Sequence, residues 1–229
     1  MNRKEKILGV LGGMGTYAGL NFVKNLLESW QKEYKVKKEW DYPRFILDSN
    51  CKLPSRVRHI LYNDKSPLEG MVKSVINLHD SGANLVIIPC NTAHYFINEI
   101  EKQTKVEIVN MIKILFKYLR KRGIKKINVL ASEGTMSANL YSGYDKEIEI
   151  KYSEDEKLLR AVIDDVKKNC VTSQTIINFK KNLNKNSWNI LGCTEFSLLY
   201  SENTGSFKGY KIIDTENITI SYLTKYLKK

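Results

Sequence analysis

The feature that most constrains this chain is a junction that occurs twice. In "NLVIIPCNTAH" (residues 84–94) and "SWNILGCTEFSLLY" (residues 187–200), a short apolar run rich in β-branched residues stops at a backbone breaker. A cysteine follows at once, and polar residues suited to a helix start come next. An uninterrupted apolar run of this length reads as a strand covered on both faces, which requires helices on either side of a parallel sheet. The segments that open the two halves also match. "LGVLGGMGT" (8–16) aligns with "INVLASEGT" (127–135), setting Val10 on Val129, Leu11 on Leu130, Gly15 on Gly134 and Thr16 on Thr135. The chain therefore reads as a duplicated α/β unit with mainly parallel sheets. Each half offers a cysteine, Cys90 or Cys193, at the carboxyl end of a strand, where open α/β sheets bind ligands.

The remaining segments fit this reading. "YAGLNFVKNLLESW", "PLEGMVKSVINLHDSG", "DEKLLRAVIDDVKKN", "TSQTIINFKKNLNK" and "ENITISYLTKYLKK" carry helical spacing, and "VEIVNMIKILFKYLRKRG" holds a short strand and then a helix stopped by Gly123. "RFILDSN", "YDKEIEIKYS" and "YKIIDT" read as strands, and the segment around Pro54 as a polar loop. The expected division is residues 1–112 plus 210–229 for a first domain holding Cys90, and 113–209 for a second holding Cys193.

With 229 residues there is room for a sizeable core, and the formal charge of +12 is spread over scattered lysines. No zinc-finger spacing, RNP-like aromatic motif or helix-turn-helix accompanies that charge, so a solvated basic surface is expected and no nucleic acid. No apolar run has the length needed to cross a bilayer. The N-terminal residues turn directly into a strand-like segment without the pattern of a signal peptide, and a cytoplasmic protein away from the membrane is expected. The chain has four cysteines, none in a CxxC, and three histidines, His59, His79 and His94. Neither a disulfide framework nor a bound metal is expected.

Two opposed thiols suit one reaction class in particular. Inverting a stereocentre next to a carboxylate removes a proton from one face of Cα and returns one to the other. Two bases, one protonated and one not, meet that geometry, and cysteine serves both roles when its surroundings tune it. Cys90 precedes Asn91-Thr92 and Cys193 precedes Thr194-Glu195, each at an expected helix start whose N–H groups and dipole favour a thiolate. Asn91 and Thr194 can donate hydrogen bonds to a thiolate or a carboxylate. The competing reading, that a buried cysteine is only a small apolar residue, is assigned to Cys170 and to Cys51, the latter in a polar loop that can border the site. His94 is read as a packing residue.

"GGMG" (12–15), "PCNTAH" (89–94), "SEGT" (132–135) and "LGCTE" (191–195), in this order along essentially the whole chain, resemble the aspartate racemase branch of the aspartate/glutamate racemase superfamily. The resemblance implies two pseudo-symmetric α/β domains with the active site in the cleft between them, a homodimer, and a two-base mechanism on Cys90 and Cys193 with no pyridoxal phosphate or other cofactor. It also implies that Arg56 binds a side-chain carboxylate and that Lys167, or its neighbour Lys168, faces the carboxylates. Asn91, Thr92, Thr135 and Thr194 would hold the α-carboxylate and ammonium groups, and Met14 would shape the pocket wall. Thr16 and Ser132 depart from the family's usual proline and threonine. Glutamate racemases of the superfamily carry an aspartate-serine pair after the first strand and a histidine after the second "GCT". Leu11-Gly12 and Glu195 stand there in this chain, which favours aspartate as substrate. Glutamate or broader amino-acid specificity, a related isomerase or decarboxylase, and a binding protein that has lost catalysis are the alternatives. "GVLGGMG" lacks the G-x-G-x-x-G spacing of a dinucleotide loop.

Overall fold

Eight strands form two four-stranded, wholly parallel sheets with the same internal order, β2-β1-β3-β4 and β6-β5-β7-β8. The structure is a computed structural model and describes residues 5–228. The first half runs β1 (Leu8–Gly12), α1 (Thr16–Tyr34), β2 (Phe45–Ser49), α2 (Arg56–Tyr62), α3 (Leu68–Asp80) and β3 (Leu85–Ile87). A 3-10 helix (Asn91–Phe96), α4 (Ile97–Thr104) and β4 (Ile108–Val109) complete it. The second half runs α5 (Met111–Lys121), β5 (Lys126–Ala131), α6 (Glu133–Ser137), β6 (Glu149–Tyr152), α7 (Glu156–Lys167), α8 (Ser173–Lys181), β7 (Trp188–Gly192), α9 (Thr194–Glu202) and β8 (Lys211–Asp214). Helix α10 (Thr215–Lys228) closes the described chain. The repeated strand order confirms the expected duplication.

Strand alternation explains why every residue of β1 is buried. Leu8 and Val10 pack with Phe22, Leu26 and Trp30 of α1 and with Ile220 and Leu223 of α10. Leu11 points the other way, into Met71, Val75 and Leu78 of α3. The pattern recurs on β5. Ile127 and Val129 meet Ile112, Leu115, Phe116 and Leu119 of α5, and Leu130 meets Val162 and Val166 of α7 and Phe196 of α9. Each such side chain contributes about 1.5–3 kcal/mol on burial, so both sheets are held by helices on both faces.

The expected domain boundaries shift in two places. β8 pairs with β7 from Trp188↔Lys211 to Leu191↔Asp214, so residues 211–214 belong to the second sheet. Only α10 returns to the first half, burying Ile220, Leu223 and Leu227 there. The other boundary falls inside the first turn of α5, where Met111 joins the first core and Ile112 the second. Two short helices add to the elements read from the sequence, α2 just after the loop expected around Pro54 and α6 directly after β5. Ser55 caps α2 by accepting Arg58 N–H at 3.2 Å, and Ser132 caps α6 by accepting from Thr135 N–H. Cys170 is exposed rather than packed, its thiol turned to the Lys168 carbonyl just beyond α7. Among the described residues, no helix is long and apolar enough to cross a membrane.

Candidate active site

The two cysteines occupy equivalent positions. Cys90 is the N-cap of the 3-10 helix that follows β3, Cys193 is the N-cap of α9 after β7, and both have extended backbone angles. Both are buried free thiols, near enough for the charge of Cys90 to bear on Cys193. The first helical turn differs between them. The Cys90 carbonyl accepts both Ala93 N–H at 3.1 Å and the His94 ring at Nδ1, 3.0 Å away, while His94 Nε2 accepts Met111 N–H at 2.9 Å. This double use of the imidazole defines its tautomer, with the proton on Nδ1. Burial lowers the His94 pKa to about 4, so the ring is neutral and structural, as expected from the sequence.

Cys193 has a carboxylate beside it. Its thiol donates to Glu195 Oε2 at 2.9 Å. Burial first, then the charge and hydrogen bond of Glu195, push the Cys193 thiol well above its ordinary range, with Lys167 pulling the other way. Glu195 is itself buried, and its Oε1 has no hydrogen-bond partner among the described residues. The sequence signal for this pair is the i, i+2 spacing in "GCTE", where Glu195 is read as part of a helix start and of a family motif and not as a partner of the thiol.

Between the cysteine junctions lies a polar seam joining the halves. Thr92 of the first half bonds Ser132 at 2.8 Å and Thr135 at 3.0 Å, both from the second, and the latter two are 3.1 Å apart. Gly134 lets α6 lie against α2, since a Cβ there would come within 3.0 Å of the Val57 Cα. Asn91 accepts a hydrogen bond from Tyr141, 2.8 Å away. Thr194 is buried at the first position of α9.

The glycine loop after β1 closes one side. Gly13, at φ +86°, leaves no room for a side chain, because a Cβ would meet the Asn50 carbonyl carbon at 2.5 Å and Cys51 N at 2.7 Å. A Cβ on Gly15 would stand 3.0 Å from Glu195 Oε1 and 3.7 Å from Lys167 Cγ, so this loop, Glu195 and Lys167 meet at one point. Arg56 is tied to the loop by Nη2, which donates to the Met14 carbonyl at 2.9 Å; Nη1 donates to the Pro54 carbonyl at 3.3 Å. Its Nε is buried without a partner among the described residues. Met14 is itself buried against the first core. Cys51 borders the loop through Thr16, with 3.1 Å between sulfur and hydroxyl.

A cavity of about 350 Å³ opens between α2 and the α6–α7 wall, within the range of small-molecule clefts. Arg58, Arg160 and Lys167 line it together with Glu133 and Asp164, and it reaches Ser132. Neither cysteine is among its lining residues. The structure brings Thr92 to Thr135, sets Asn91 on Tyr141 beside Gly192, and joins the Met14–Gly15 loop to Arg56, Glu195 and Lys167, while Cys90, Cys193 and Thr194 are buried at the strand ends next to these contacts. Lys167, rather than Lys168, faces the loop and the cavity.

Residues 11–223 match the Asp/Glu/Hydantoin racemase family. The fold superimposes on the Picrophilus torridus aspartate racemase with a TM-score of 0.86 and 26% identity, covering 98% of this chain and 95% of that one. The Bacillus subtilis broad-specificity amino-acid racemase RacX is 26% identical over 135 residues, 59% of this chain and 58% of that protein. The Aquifex aeolicus glutamate racemase is 26% identical over 156 residues, 66% of this chain and 61% of that protein. The matched segments thus span about three fifths of these two relatives. Glutamate racemase from Francisella tularensis, at 18% identity over 98% of this chain and 81% of that one and a TM-score of 0.67, shares the fold. With the match running through both sheets and both cysteine junctions, the chain belongs to the Asp/Glu/hydantoin racemase family.

Proposed function

We propose that this protein is a cofactor-independent amino-acid racemase interconverting L- and D-aspartate, with Cys90 and Cys193 acting on opposite faces of Cα. The observation that carries the reading is the paired placement of two buried thiols at equivalent strand ends, one of them hydrogen-bonded to a carboxylate. In one direction the Cys90 thiolate takes the Cα proton and the Cys193 thiol gives its proton to the other face. The substrate is inverted, Cys90 is left as the thiol and Cys193 as the thiolate. The reverse reaction exchanges these roles. The Glu195 charge, which opposes ionisation of Cys193, makes Cys193 the resting donor. Charge building toward the substrate carboxylate is met by Lys167 and by the amide and hydroxyl groups of Asn91, Thr92, Thr135 and Thr194. Arg56 and Lys167 are the cations assigned to the substrate carboxylates.

The test is incubation of the pure, reduced protein with L-aspartate and, separately, L-glutamate in D2O without added cofactor. Deuterium entering Cα while the D-isomer accumulates supports the reading, and the relative rates name the preferred acid. Cys90→Ala and Cys193→Ala are each expected to abolish racemisation, and full activity in either variant refutes the two-base assignment. The similarity to RacX and to a glutamate racemase favours broader specificity or glutamate as the second reading. A panel of amino acids decides between them, and exchange with none of them sinks both.

A further inference from the structure

We infer that Tyr141 is a positioning residue for the reaction: its hydroxyl orients the Asn91 side-chain amide and ties the Cys90 junction to the Cys193 junction. This rests on the racemase reading for its catalytic consequence, but not for its geometry.

Tyr141 lies beyond α6 in the second half and is fully buried. Its ring packs near Phe116 and edge-on to Tyr152, so its position is set by the core rather than by the site. A phenol buried there must spend its proton on an acceptor. It donates to Asn91 Oδ1 at 2.8 Å, crossing from one half to the other. The same oxygen lies against Gly192, where an added Cβ would come within 2.9 Å of it. One hydroxyl is therefore wedged between the residue after Cys90 and the residue before Cys193. Burial raises the Tyr141 hydroxyl far above its ordinary range, so it stays a donor throughout the working pH range.

An amide has an acceptor end and a donor end. With Oδ1 occupied by the phenol, Asn91 is held in one of its two flipped states, and Nδ2 carries two N–H groups that meet no acceptor among the described residues. These are the donors that a substrate carboxylate requires. Without the tyrosine hydroxyl the amide can rotate, and half of its orientations present a carbonyl oxygen to an anion instead.

The test is Tyr141→Phe, which keeps the ring, in the wild-type and Asn91→Ala backgrounds. The side-chain amide signal of Asn91 is followed by 15N NMR, assigned by its loss in Asn91→Ala. The expected result is a shifted or broadened Asn91 amide signal and about a tenfold fall in kcat/KM, carried mainly by KM. In the Asn91→Ala background the same substitution is expected to change kcat/KM less than twofold. An unchanged amide signal overturns the inference, as does an equal loss in both backgrounds. The NMR readout needs no substrate, so wild-type protein that racemises nothing refutes the proposed function while the amide signal still decides this one. Should Tyr141→Phe fail to fold, Asn91→Asp keeps the acceptor for Tyr141 and removes the two donors. Wild-type activity in that variant overturns the role given to Nδ2.

Discussion

Replacing Glu195 by glutamine isolates what the carboxylate does to Cys193. The substitution keeps the side chain's size and an oxygen able to accept the thiol proton across 2.9 Å, but removes the negative charge. At that separation, two unit charges in a medium of effective dielectric about 20 repel by ~6 kcal/mol. This is the penalty on forming the Cys193 thiolate while Glu195 is ionised. Lys167 opposes it and reduces the net effect. If only a quarter survives, about 1.4 kcal/mol, the thiolate fraction at a given pH still rises tenfold on removing the charge. The assay is pH-dependent alkylation of Cys193 by iodoacetamide, followed by peptide mass spectrometry in wild type and Glu195→Gln, with Cys51 as internal reference. The expected outcome is at least a tenfold acceleration at Cys193 between pH 7 and 9 with no change at Cys51. The kcat values of the two directions should change by different factors, because Cys193 now ionises more readily, while the ratio of kcat/KM for the two enantiomers stays at one. An unchanged or slower alkylation of Cys193 refutes the argument, since it would mean that burial alone governs this thiol.

Other expectations follow from the same geometry. Cys51 is exposed and its thiol is lowered first by the Thr16 hydroxyl, so it should be the first of the four cysteines alkylated at neutral pH. Thr16→Val should slow it, and faster labelling of Cys193 would contradict this order. Gly13→Ala strains a φ of +86° and drives a Cβ into the Asn50–Cys51 backbone, whereas Gly12→Ala meets the flexible Leu47 Cδ1 at 3.3 Å and backbone atoms of Asp48 and Gly19 at an ordinary 3.8 Å. Urea unfolding should show a loss of about 3 kcal/mol or more for the first and about 1 kcal/mol or less for the second, and similar losses would refute the assignment. His94, lowered from 6.5 to about 4, refuses in the folded state a proton that the unfolded chain accepts, so its stabilising contribution of about 3 kcal/mol is lost as pH falls from 6.5 through 4. Asp214, raised by burial from 3.8 to about 6, acts in the opposite sense, because stability is lost as pH rises through that window. Asp214→Asn should therefore steepen the fall of Tm on acidification from pH 6.5 to 4, and parallel Tm profiles for the two proteins would refute this.

The alternation of apolar runs and helical spacing made both sheets legible, because a strand buried on two faces has few other readings. The duplicated junctions likewise carried the equivalence of Cys90 and Cys193. The elements that escaped are α2 and α6, each under two turns long, where periodicity has too few residues to register and a single serine cap decides the outcome. β8 was legible as a strand but not as a member of the second sheet, since its partner is chosen by packing across the molecule. At the site, the residues on the cysteine junctions and the glycine loop were readable from local motifs. Tyr141 was not, since it lies 50 positions from Asn91 and nothing in its own neighbourhood marks it. Arg56 was located but its immediate partners were not, because backbone carbonyls, one in its own loop at Pro54 and one in the glycine loop at Met14, leave no trace in side-chain patterns.

A duplicated scaffold raises a difficulty for a two-base reaction. Symmetry places the two thiols well, one at each strand end, yet the chemistry requires them to differ, because two thiols in the same state can only take protons or only give them. The divergence between the halves falls where this difference is needed. After Cys193 the chain places Glu195, whose carboxylate accepts a hydrogen bond from the thiol. After Cys90 the side chain that turns back toward the cysteine is His94, a neutral ring bonded to the Cys90 carbonyl rather than to its sulfur. Among the described residues, only one of these two thiols thus has a carboxylate in direct contact. Gly15 enforces the arrangement, since any side chain there would press on Glu195 Oε1. On the proposed two-base reading, the repeat supplies equal placement, and a single acidic residue two positions past one cysteine supplies a difference between the thiols.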